Sequence, residues 1–184
     1  MPILIHLNGP PGVGKSTLAR RYVADHPGSL NLDIDTVASL IGGWRQDFFG
    51  VLPAARNIAV AMAETHLRSG ADVVLPQLLM IVDEVRRFEL AAERAGAAFV
   101  EVALSVGPVE QMNRFAAKAQ DSEVNLQIDR AVAAEGGVEL LEHLRRRLDT
   151  YLTRRPAASL LDTTAIDVSE SYAQLLAILN GGRR

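Results

Sequence analysis

Short aliphatic runs alternate with longer amphipathic stretches along the whole chain. Five of the runs predict β-strands: Ile3 to Asn8, Ser29 to Asp33, Asp72 to Leu75, Ala98 to Leu104 and Ser159 to Asp162. The first of them, like most of the others, lacks strict alternation of apolar and polar residues, as expected for strands that are buried on both faces. The pattern therefore predicts an α/β fold, with a five-stranded parallel sheet flanked by helices.

The stretches between and after these strands have helical periodicity. They predict six helices: Lys15 to Ala24, Pro53 to Ser69, Val82 to Ala95, Pro108 to Ala119, Leu126 to Leu152 and Ser169 to Leu179. The polar, turn-prone stretch Gln120 to Asn125 lies between two helical patterns rather than between a helix and a strand. We expect it to form a mobile hairpin tip.

Composition narrows the class of protein. A chain of 184 residues with 48% hydrophobic content is long enough for one well-buried core, so we predict a single domain over residues 1–184. The net charge of −3 disfavours a nucleic-acid partner, and the absence of cysteine excludes disulfides and thiolate metal sites. The apolar run Ile3 to Leu7 is too short for a signal peptide or a membrane span. A cytoplasmic protein without a membrane partner is expected, and no oligomeric state follows from the sequence.

A glycine-rich segment directly follows the first predicted strand and directly precedes the first predicted helix. It satisfies the pattern G-x-x-x-x-G-K-[ST] with Gly9, Pro10, Pro11, Gly12, Val13, Gly14, Lys15, Ser16 and Thr17. Glycines are required because backbone N–H groups must turn inward around phosphates, where a Cβ would obstruct the turn or the ligand. The following helix adds its N-terminal dipole and unpaired N–H groups. The segment is therefore predicted to be a P-loop that binds ATP, with GTP as the alternative.

Each side chain of this loop is expected to contact a different part of the bound nucleotide. Lys15 is expected to place a mobile positive charge on the β and γ phosphates. The Ser16 hydroxyl is a hard oxygen ligand suited to Mg²⁺, and Thr17 is expected to face the α-phosphate. Mg²⁺ is accordingly the predicted metal cofactor.

Two carboxylates follow the second predicted strand, at Asp33 and Asp35. Ligands of open α/β sheets bind at the carboxyl ends of strands, and alternation would aim both acids at the phosphate loop if the extended conformation persisted that far. We expect Asp33 to support Mg²⁺ and Asp35 to accept the proton of a substrate hydroxyl as a general base. The alternative is that Asp35 caps a helix over Thr36 to Ile41.

With these features the chain resembles small P-loop kinases of the zeta-toxin and chloramphenicol-phosphotransferase type, and most of all tunicamycin-resistance proteins. The resemblance rests on the P-loop, on the Asp33-x-Asp35 strand end, on Leu75-Pro76-Gln77 and on Gln127-Ile128-Asp129-Arg130. It implies a nucleoside-kinase-like fold with a helical lid at about residues 114–136.

The resemblance also implies site residues. Arg114 and Arg130 of the lid would contact the phosphates, with Lys118 in place of a second arginine after Arg114. The loop after the last strand would hold adenine, which makes Thr163 a candidate nucleotide contact. The third strand ends without a Walker-B acid, which shifts metal support onto Ser16, Asp33 and water.

Several other residues have two interpretations. Trp44, Phe48 and Phe49 form either an apolar wall for an acceptor or part of the core. Gln77 is expected to point into the same crevice, and His6 to be a core histidine. The arginine runs at 145–147 and 154–155 are expected to lie on a solvated helix face.

The sequence thus predicts an ATP-dependent O-phosphotransferase with a small-molecule acceptor, such as a hydroxylated antibiotic or a nucleoside-like compound. Two alternatives stay open. One is a nucleoside or nucleotide kinase. The other is a nucleotide-gated binding protein that sequesters a drug or regulates a partner without phosphorylating it.

Overall fold

The computed structural model describes residues 1–117, 123–134, 136 and 138–181, without the side chains at 116, 125, 128, 129, 131, 132, 134 and 138. Within this part of the chain, five strands form one sheet: β1 (Ile3–Asn8), β2 (Leu30–Asn31), β3 (Val73–Leu75), β4 (Ala98–Ser105) and β5 (Ser159–Asp162). Their spatial order is β2-β3-β1-β4-β5, and all neighbouring strands are parallel. The predicted five-stranded parallel sheet is confirmed.

The helices of the described chain cover both faces of the sheet. They are α1 (Lys15–Asp25), α2 (Ile34–Ala38), α3 (Phe48–Arg68), α4 (Val82–Arg94), α5 (Pro108–Ala116), α6 (Glu123–Ala134), α7 (Val138–Leu152) and α8 (Val168–Gly181). Side chains of β1 alternate between the two faces: Ile3 and Ile5 pack in the cluster with α1 and α8, whereas Leu4 packs in the cluster with α2, α3, α4 and α7. All strands run in one direction, so their carboxyl ends form one edge, where ligands of such sheets bind.

The second strand is shorter than predicted because a helix cap interrupts it. The Asp33 Oδ1 atom accepts hydrogen bonds from the backbone N–H groups of Asp35 (2.9 Å) and Thr36 (3.4 Å), so α2 begins at Ile34. The extended conformation, on which the predicted alternation of Asp33 and Asp35 depended, therefore does not continue to Asp35. The capping residue is Asp33 rather than Asp35, and Asp35 lies in the first turn of the helix.

Two helix boundaries also differ from the prediction. Helix α3 begins at Phe48, before Pro53, because the Asp47 carboxylate caps it by accepting the Gly50 N–H at 2.8 Å. Pro53 is exposed inside this helix, where its missing N–H costs one intrahelical bond near the N-terminus. The segment predicted as one helix over 126–152 forms α6 and α7, and Gly136 between them has φ 110°, a conformation that favours glycine.

A buried polar network lies on the face of the sheet that α7 covers. Glu101 of β4 is only 4% exposed, and its carboxylate accepts hydrogen bonds from Asn8 Nδ2 (3.0 Å), Tyr151 OH (2.8 Å) and Arg155 Nε (2.9 Å). Arg155 also donates to Glu89 of α4. Burial lowers the pKa of this guanidinium, but its hydrogen bonds to Glu89 and Glu101 outweigh burial and raise that pKa overall. The ion pairs therefore keep Arg155 charged inside the fold.

His6 is a core histidine, as predicted from its place in the first strand. The residue is fully buried, and its ring nitrogen Nε2 lies 2.9 Å from the Gln77 carbonyl oxygen. Burial lowers the pKa of the imidazole, and this effect outweighs the nearby Glu101 carboxylate, which raises it. His6 is therefore expected to be neutral near pH 7.

The prediction that the two arginine runs lie entirely on a solvated face is wrong. Arg155 is bound to the buried network, and Arg145 donates a hydrogen bond to Gln111 Oε1 at 2.8 Å. In contrast, Arg146, Arg147 and Arg154 are exposed. The spacing did not reveal this division because a three-residue arginine run covers most of a helical turn, so its members face different sides.

No helix among the described residues is both long enough and apolar enough to cross a membrane.

Candidate active site

A large cavity of about 1100 Å³ lies at the carboxyl edge of the sheet. The P-loop lines one part of it, and side chains of α2, α3, α4, α5, α7 and the loop before α8 line the rest. Its volume is at the upper limit of about 300–1,000 Å³ for small-molecule sites. The cavity is therefore large enough for a nucleotide together with a second molecule.

The backbone of the P-loop has the conformation that its glycines predict. Gly9 has φ 144°, and a Cβ there would lie 2.7 Å from the carbonyl oxygen of Leu104. Gly12 has φ 86°, and a Cβ there would lie 2.9 Å from the carbonyl oxygen of Gln111. Any side chain at either position would thus collide with neighbouring backbone. Gly14, with φ 100°, is the N-cap of α1, so the N-terminus of that helix faces the cavity.

Lys15 is bonded to the loop that it follows. Its Nζ atom donates to the carbonyl oxygens of Gly9 (2.7 Å) and Pro10 (3.0 Å). The ammonium group therefore lies against the backbone of the P-loop. Ser16 is exposed in the first turn of α1, and both Ser16 and Thr17 line the cavity.

The two predicted carboxylates line the same cavity as Lys15, although a helix turn rather than strand alternation places them there. Asp35 Oδ1 accepts a hydrogen bond from Gln77 Nε2 at 3.3 Å, and Gln77 lines the cavity as predicted. Asp33 Oδ1 is engaged by the backbone of α2. Gln77 thus orients Asp35 from the carboxyl end of β3, where many nucleotide-binding proteins carry an acid instead.

The donor set of the cavity fits a weakly held magnesium ion. In the described part of the chain, no group of three or more His, Cys, Asp or Glu residues is placed to hold a metal by itself. Mg²⁺ usually takes only one or two protein ligands and fills its remaining positions with phosphate oxygens and water. The Ser16 hydroxyl and the Asp33 carboxylate supply hard oxygen atoms of this kind, so the residues fit a nucleotide-bound Mg²⁺.

The structure places one predicted lid arginine at the cavity and the other outside it. Arg114 lines the cavity and donates to Glu110 Oε1 (2.8 Å), to Thr163 Oγ1 (3.0 Å) and to the Thr163 carbonyl oxygen (2.9 Å). Arg130 is exposed on α6 and is not among the residues that line the cavity. Lys118 lies outside the described residues, as do other positions of the proposed lid. The roles proposed for these three side chains stay predictions.

Thr163 joins the loop after β5 to the P-loop. Its side chain is only 2% exposed, and the hydroxyl lies 3.0 Å from the Ser105 carbonyl oxygen and 3.3 Å from that of Val13. This hydroxyl is therefore engaged inside the protein although Thr163 borders the cavity. Ile166 and Asp167 from the same loop also line the cavity. They were not predicted from the sequence, because an isoleucine and an aspartate before a helix do not by themselves indicate that a loop lines a ligand cavity.

Part of the cavity lining is apolar. This part consists of Phe48, Phe49 and Leu52 of α3, Leu78, Met80 and Ile81 of the segment after β3, and Leu140 and Leu144 of α7. We call this set the apolar wall. Of the three aromatic residues considered from the sequence, Trp44 and Phe48 are buried in the core, and Phe48 and Phe49 line the cavity.

An ion pair borders the apolar wall. Arg56 NH1 of α3 donates to Glu84 Oε1 of α4 at 2.7 Å, and both side chains line the cavity. Sequence reasoning missed this pair. Phe48, Leu52 and Arg56 follow i, i+4 spacing on one helix face, but the spacing becomes apparent only when α3 begins before Pro53.

Comparison with known proteins agrees with this architecture. The family described as AAA domain matches residues 4–137, which is most of the chain, so the chain belongs to that family. No curated protein matches the sequence significantly.

Solved structures of small-molecule kinases and a resistance protein share the fold at low sequence identity. The tunicamycin resistance protein of Deinococcus radiodurans is 16% identical, with a TM-score of 0.61 over 97% of this chain and 96% of that one. A gluconokinase of Sinorhizobium meliloti 1021 is 16% identical, with a TM-score of 0.56 over 100% and 97%. A deoxyadenosine kinase of M. mycoides is 13% identical, with a TM-score of 0.54 over 97% and 99%. The fold is thus that of P-loop kinases, and the resemblance to small P-loop kinases is confirmed at this level.

Proposed function

We propose that this member of the AAA-domain family is an ATP-dependent O-phosphotransferase that phosphorylates a hydroxyl group of a small molecule. One observation carries the proposal: the P-loop, the Asp35 carboxylate and the apolar wall all line a single cavity. A protein that only hydrolyses nucleotide needs no second ligand wall. The arrangement therefore favours transfer of the phosphoryl group to a bound acceptor.

The nucleotide would lie along the P-loop. Its phosphates would accept hydrogen bonds from the backbone N–H groups of Gly12 and Gly14. They would also attract the Lys15 ammonium group away from the loop carbonyl oxygens to which it is bonded. The base would pack toward Arg114 and Ile166, which line the same part of the cavity. ATP is the proposed nucleotide and GTP the alternative.

A bound Mg²⁺ would supply charge neutralisation on the phosphates, with Ser16 and Asp33 as its protein ligands or as partners of its waters.

Asp35 is the proposed general base. The acceptor hydroxyl oxygen would form a bond to the γ-phosphorus, the bond from that phosphorus to the β–γ bridging oxygen would break, and ADP would leave. The hydroxyl proton would pass to the Asp35 carboxylate, which Gln77 orients through its 3.3 Å hydrogen bond. Lys15 and the positive N-terminus of α1 would stabilise the transferring group, so catalysis would consist mainly of positioning and electrostatics.

The wall around the second ligand supports an acceptor that is partly apolar. Phe49 is 47% exposed at the wall, so its ring offers apolar surface that a bound acceptor would cover. The Arg56–Glu84 pair and Gln77 would offer hydrogen bonds to hydroxyl or carbonyl groups of the same molecule. A hydroxylated antibiotic or a nucleoside-like compound combines these properties, whereas a small polyhydroxy acid would leave the wall uncovered.

The proposal is tested by mass spectrometry of an acceptor panel. Nucleosides, nucleotides, sugars and hydroxylated antibiotics, tunicamycin-like compounds included, are incubated with Mg-ATP and the wild type, Asp35→Asn or Asp25→Asn. Asp25 is an exposed carboxylate on α1 that pairs with Arg21, so it controls for loss of one negative charge. We expect a phosphoryl mass gain with the wild type and Asp25→Asn only, while Asp35→Asn still binds ATP. Product formation by Asp35→Asn at the wild-type rate would exclude Asp35 as the base.

The same experiment separates the rival functions. A nucleoside or nucleotide kinase would phosphorylate only those members of the panel. A sequestering protein would release no acceptor-dependent ADP, although its ligand would tighten ATP binding.

A further inference from the structure

A second concavity, of about 320 Å³, lies along the outer side of α7. It is lined by Met80, His143, Arg146, Arg147, Thr150, Tyr151 and Arg154, and we call it the arginine groove. The α7 residues recur at intervals of three, four and seven positions, so one face of the helix forms most of the groove. This face is adjacent to the one that carries Leu140 and Leu144 to the main cavity.

The charge in the groove is unbalanced. Arg146, Arg147 and Arg154 all line it, and no carboxylate oxygen of the described residues lies within 4 Å of their guanidinium nitrogens. Arg155, which directly follows Arg154, differs from these three arginines because it pairs with two carboxylates. The chain has 22 acidic and 19 basic residues, so acids are not scarce. Like charges this close together repel one another, and a bound anion would remove the repulsion.

Ordinary explanations account for only part of this cluster. A cation just beyond the C-terminus of a helix is stabilised by the helix dipole, which suits Arg154 after the end of α7 at Leu152. Arg146 and Arg147 lie well inside the helix, where the dipole has little effect. A solvated face would also place charges outward, but it would not enclose them with Met80 and the ring of Tyr151 in a concave surface.

We propose that the arginine groove binds a phosphate group of a small phosphorylated molecule. Arginine side chains present planar forks of N–H donors that match phosphate oxygens, and three of them line one groove here. Met80 provides an apolar surface for the part of the molecule next to the phosphate, while Tyr151 is only 3% exposed at the floor of the groove. The volume suits a small molecule. A nucleic-acid chain is disfavoured because the protein has a net charge of −3.

This site is separate from the P-loop and does not depend on phosphoryl transfer. It nevertheless adjoins the main cavity, because Met80 and Arg147 line both concavities. The phosphate could therefore belong to a distal part of the acceptor or to a separate molecule. Both sources share the same chemistry at the arginine groove.

The test is a nuclear magnetic resonance titration with inorganic phosphate at constant ionic strength. Saturating Mg²⁺ and a non-hydrolysable ATP analogue fill the P-loop throughout. We expect saturable shifts of the Arg146, Arg147 and Arg154 Nε–H signals. The double variant Arg146→Gln/Arg154→Gln should bind at least about tenfold more weakly, which is the loss of one charge-assisted hydrogen bond.

A charge-matched variant supplies the control. Arg68→Gln/Arg94→Gln removes the same charge from two arginines that pair with Glu64 elsewhere on the surface, and it should bind phosphate as the wild type does. The proposal is overturned if the wild type shows no saturable shift, if Arg146→Gln/Arg154→Gln binds equally well, or if both double variants lose binding to the same extent.

A second titration identifies the source of the phosphate group. Phenyl phosphate carries an apolar ring next to its phosphate. Shifts of the Leu140 and Leu144 methyl signals together with the arginine signals would indicate a ligand that extends from the main cavity. Shifts confined to the arginine groove would indicate a separate molecule. Weaker binding of phenyl phosphate than of inorganic phosphate would contradict the proposed apolar surface of Met80.

Discussion

The two ends of the main cavity are built in different ways. The proposed nucleotide end consists largely of one contiguous segment, residues 9–17, in which each glycine, the lysine and the serine has a proposed function that follows from its type. The proposed acceptor end is assembled from α3, the segment after β3, α4 and α7, and its residues from Phe48 to Leu144 are separated by more than ninety positions along the chain. Local geometry specifies the first end, whereas only packing brings the second together. The comparison explains why one end could be identified from a motif and the other could not.

One side chain connects the two ends. Asn8, the last residue of β1, accepts hydrogen bonds through Oδ1 from the backbone N–H groups of Gly9 (2.9 Å) and Leu79 (3.1 Å), and donates through Nδ2 to the Leu79 carbonyl oxygen (2.8 Å). Gly9 opens the P-loop, and Leu79 lies between two residues of the apolar wall. Asn8 therefore fixes the position of the P-loop relative to the wall. Its Nδ2 atom also donates a hydrogen bond to the buried Glu101 carboxylate.

The largest effect is expected at the nucleotide end. Lys15→Ala should lower acceptor-dependent ADP formation at least about 10²- to 10³-fold, because it removes a charge that stabilises the transferring phosphoryl group. Its free energy of unfolding, measured in urea, should stay close to that of the wild type. Arg21→Ala, on the same helix but on the exposed surface, is the control and should keep its activity. Normal ADP formation by Lys15→Ala would contradict the assignment of the P-loop.

A large effect on stability is expected in the polar network that supports both ends. Arg155→Met leaves the Glu101 carboxylate buried without its cation, and removing one partner of such a pair costs about 3–5 kcal/mol in free energy of unfolding. Because Arg155 is 16% exposed, we expect a loss near the lower limit of about 3 kcal/mol by urea denaturation.

The neighbouring arginine is the control for this loss. Arg154→Met should change the free energy of unfolding by less than about 0.5 kcal/mol, because no carboxylate of the described residues pairs with it. Equal stability of the two variants would show that the buried pair does not support the fold.

A smaller and more selective effect is expected at the acceptor end. Phe49→Ala should raise the KM for the acceptor about tenfold and leave the KM for ATP unchanged, because the side chain contributes apolar surface to the second ligand only. Steady-state kinetics with each substrate varied in turn would measure this separation. Leu160→Ala, at an exposed site on β5, should change neither constant. If Phe49→Ala weakened ATP binding as much as acceptor binding, the two ends would not be separate sites.

The smallest effect concerns pH. Burial lowers the pKa of His6 in the folded protein, so below about pH 6.5 the unfolded chain binds a proton that the folded chain does not. Stability therefore falls as pH decreases, and His6 should account for part of the loss between pH 7.5 and 5.5. Urea denaturation of His6→Gln should show a correspondingly smaller pH dependence, whereas the exposed variant His143→Gln should match the wild type. An unchanged pH dependence in His6→Gln would mean that another group dominates.

Prediction from sequence succeeded where a pattern is repeated or local. The bounds of β1 and β5 agree with the prediction, because a short, largely apolar run marks each strand. Boundaries failed where a side-chain cap decided them. Asp33 shortened β2 and Asp47 lengthened α3, and an aspartate in sequence does not show which helix start it will cap.

The sequence by itself determined the class of fold, the P-loop and the presence of acids near it, because these depend on backbone conformation and on neighbouring residues. Only the tertiary structure decided which arginines are bound and which are exposed, that Trp44 joins the core while Phe49 faces the cavity, and that Arg56 and Glu84 meet. These outcomes depend on contacts between distant segments, and the free energy of burying or pairing a side chain is defined only when its partners are in place.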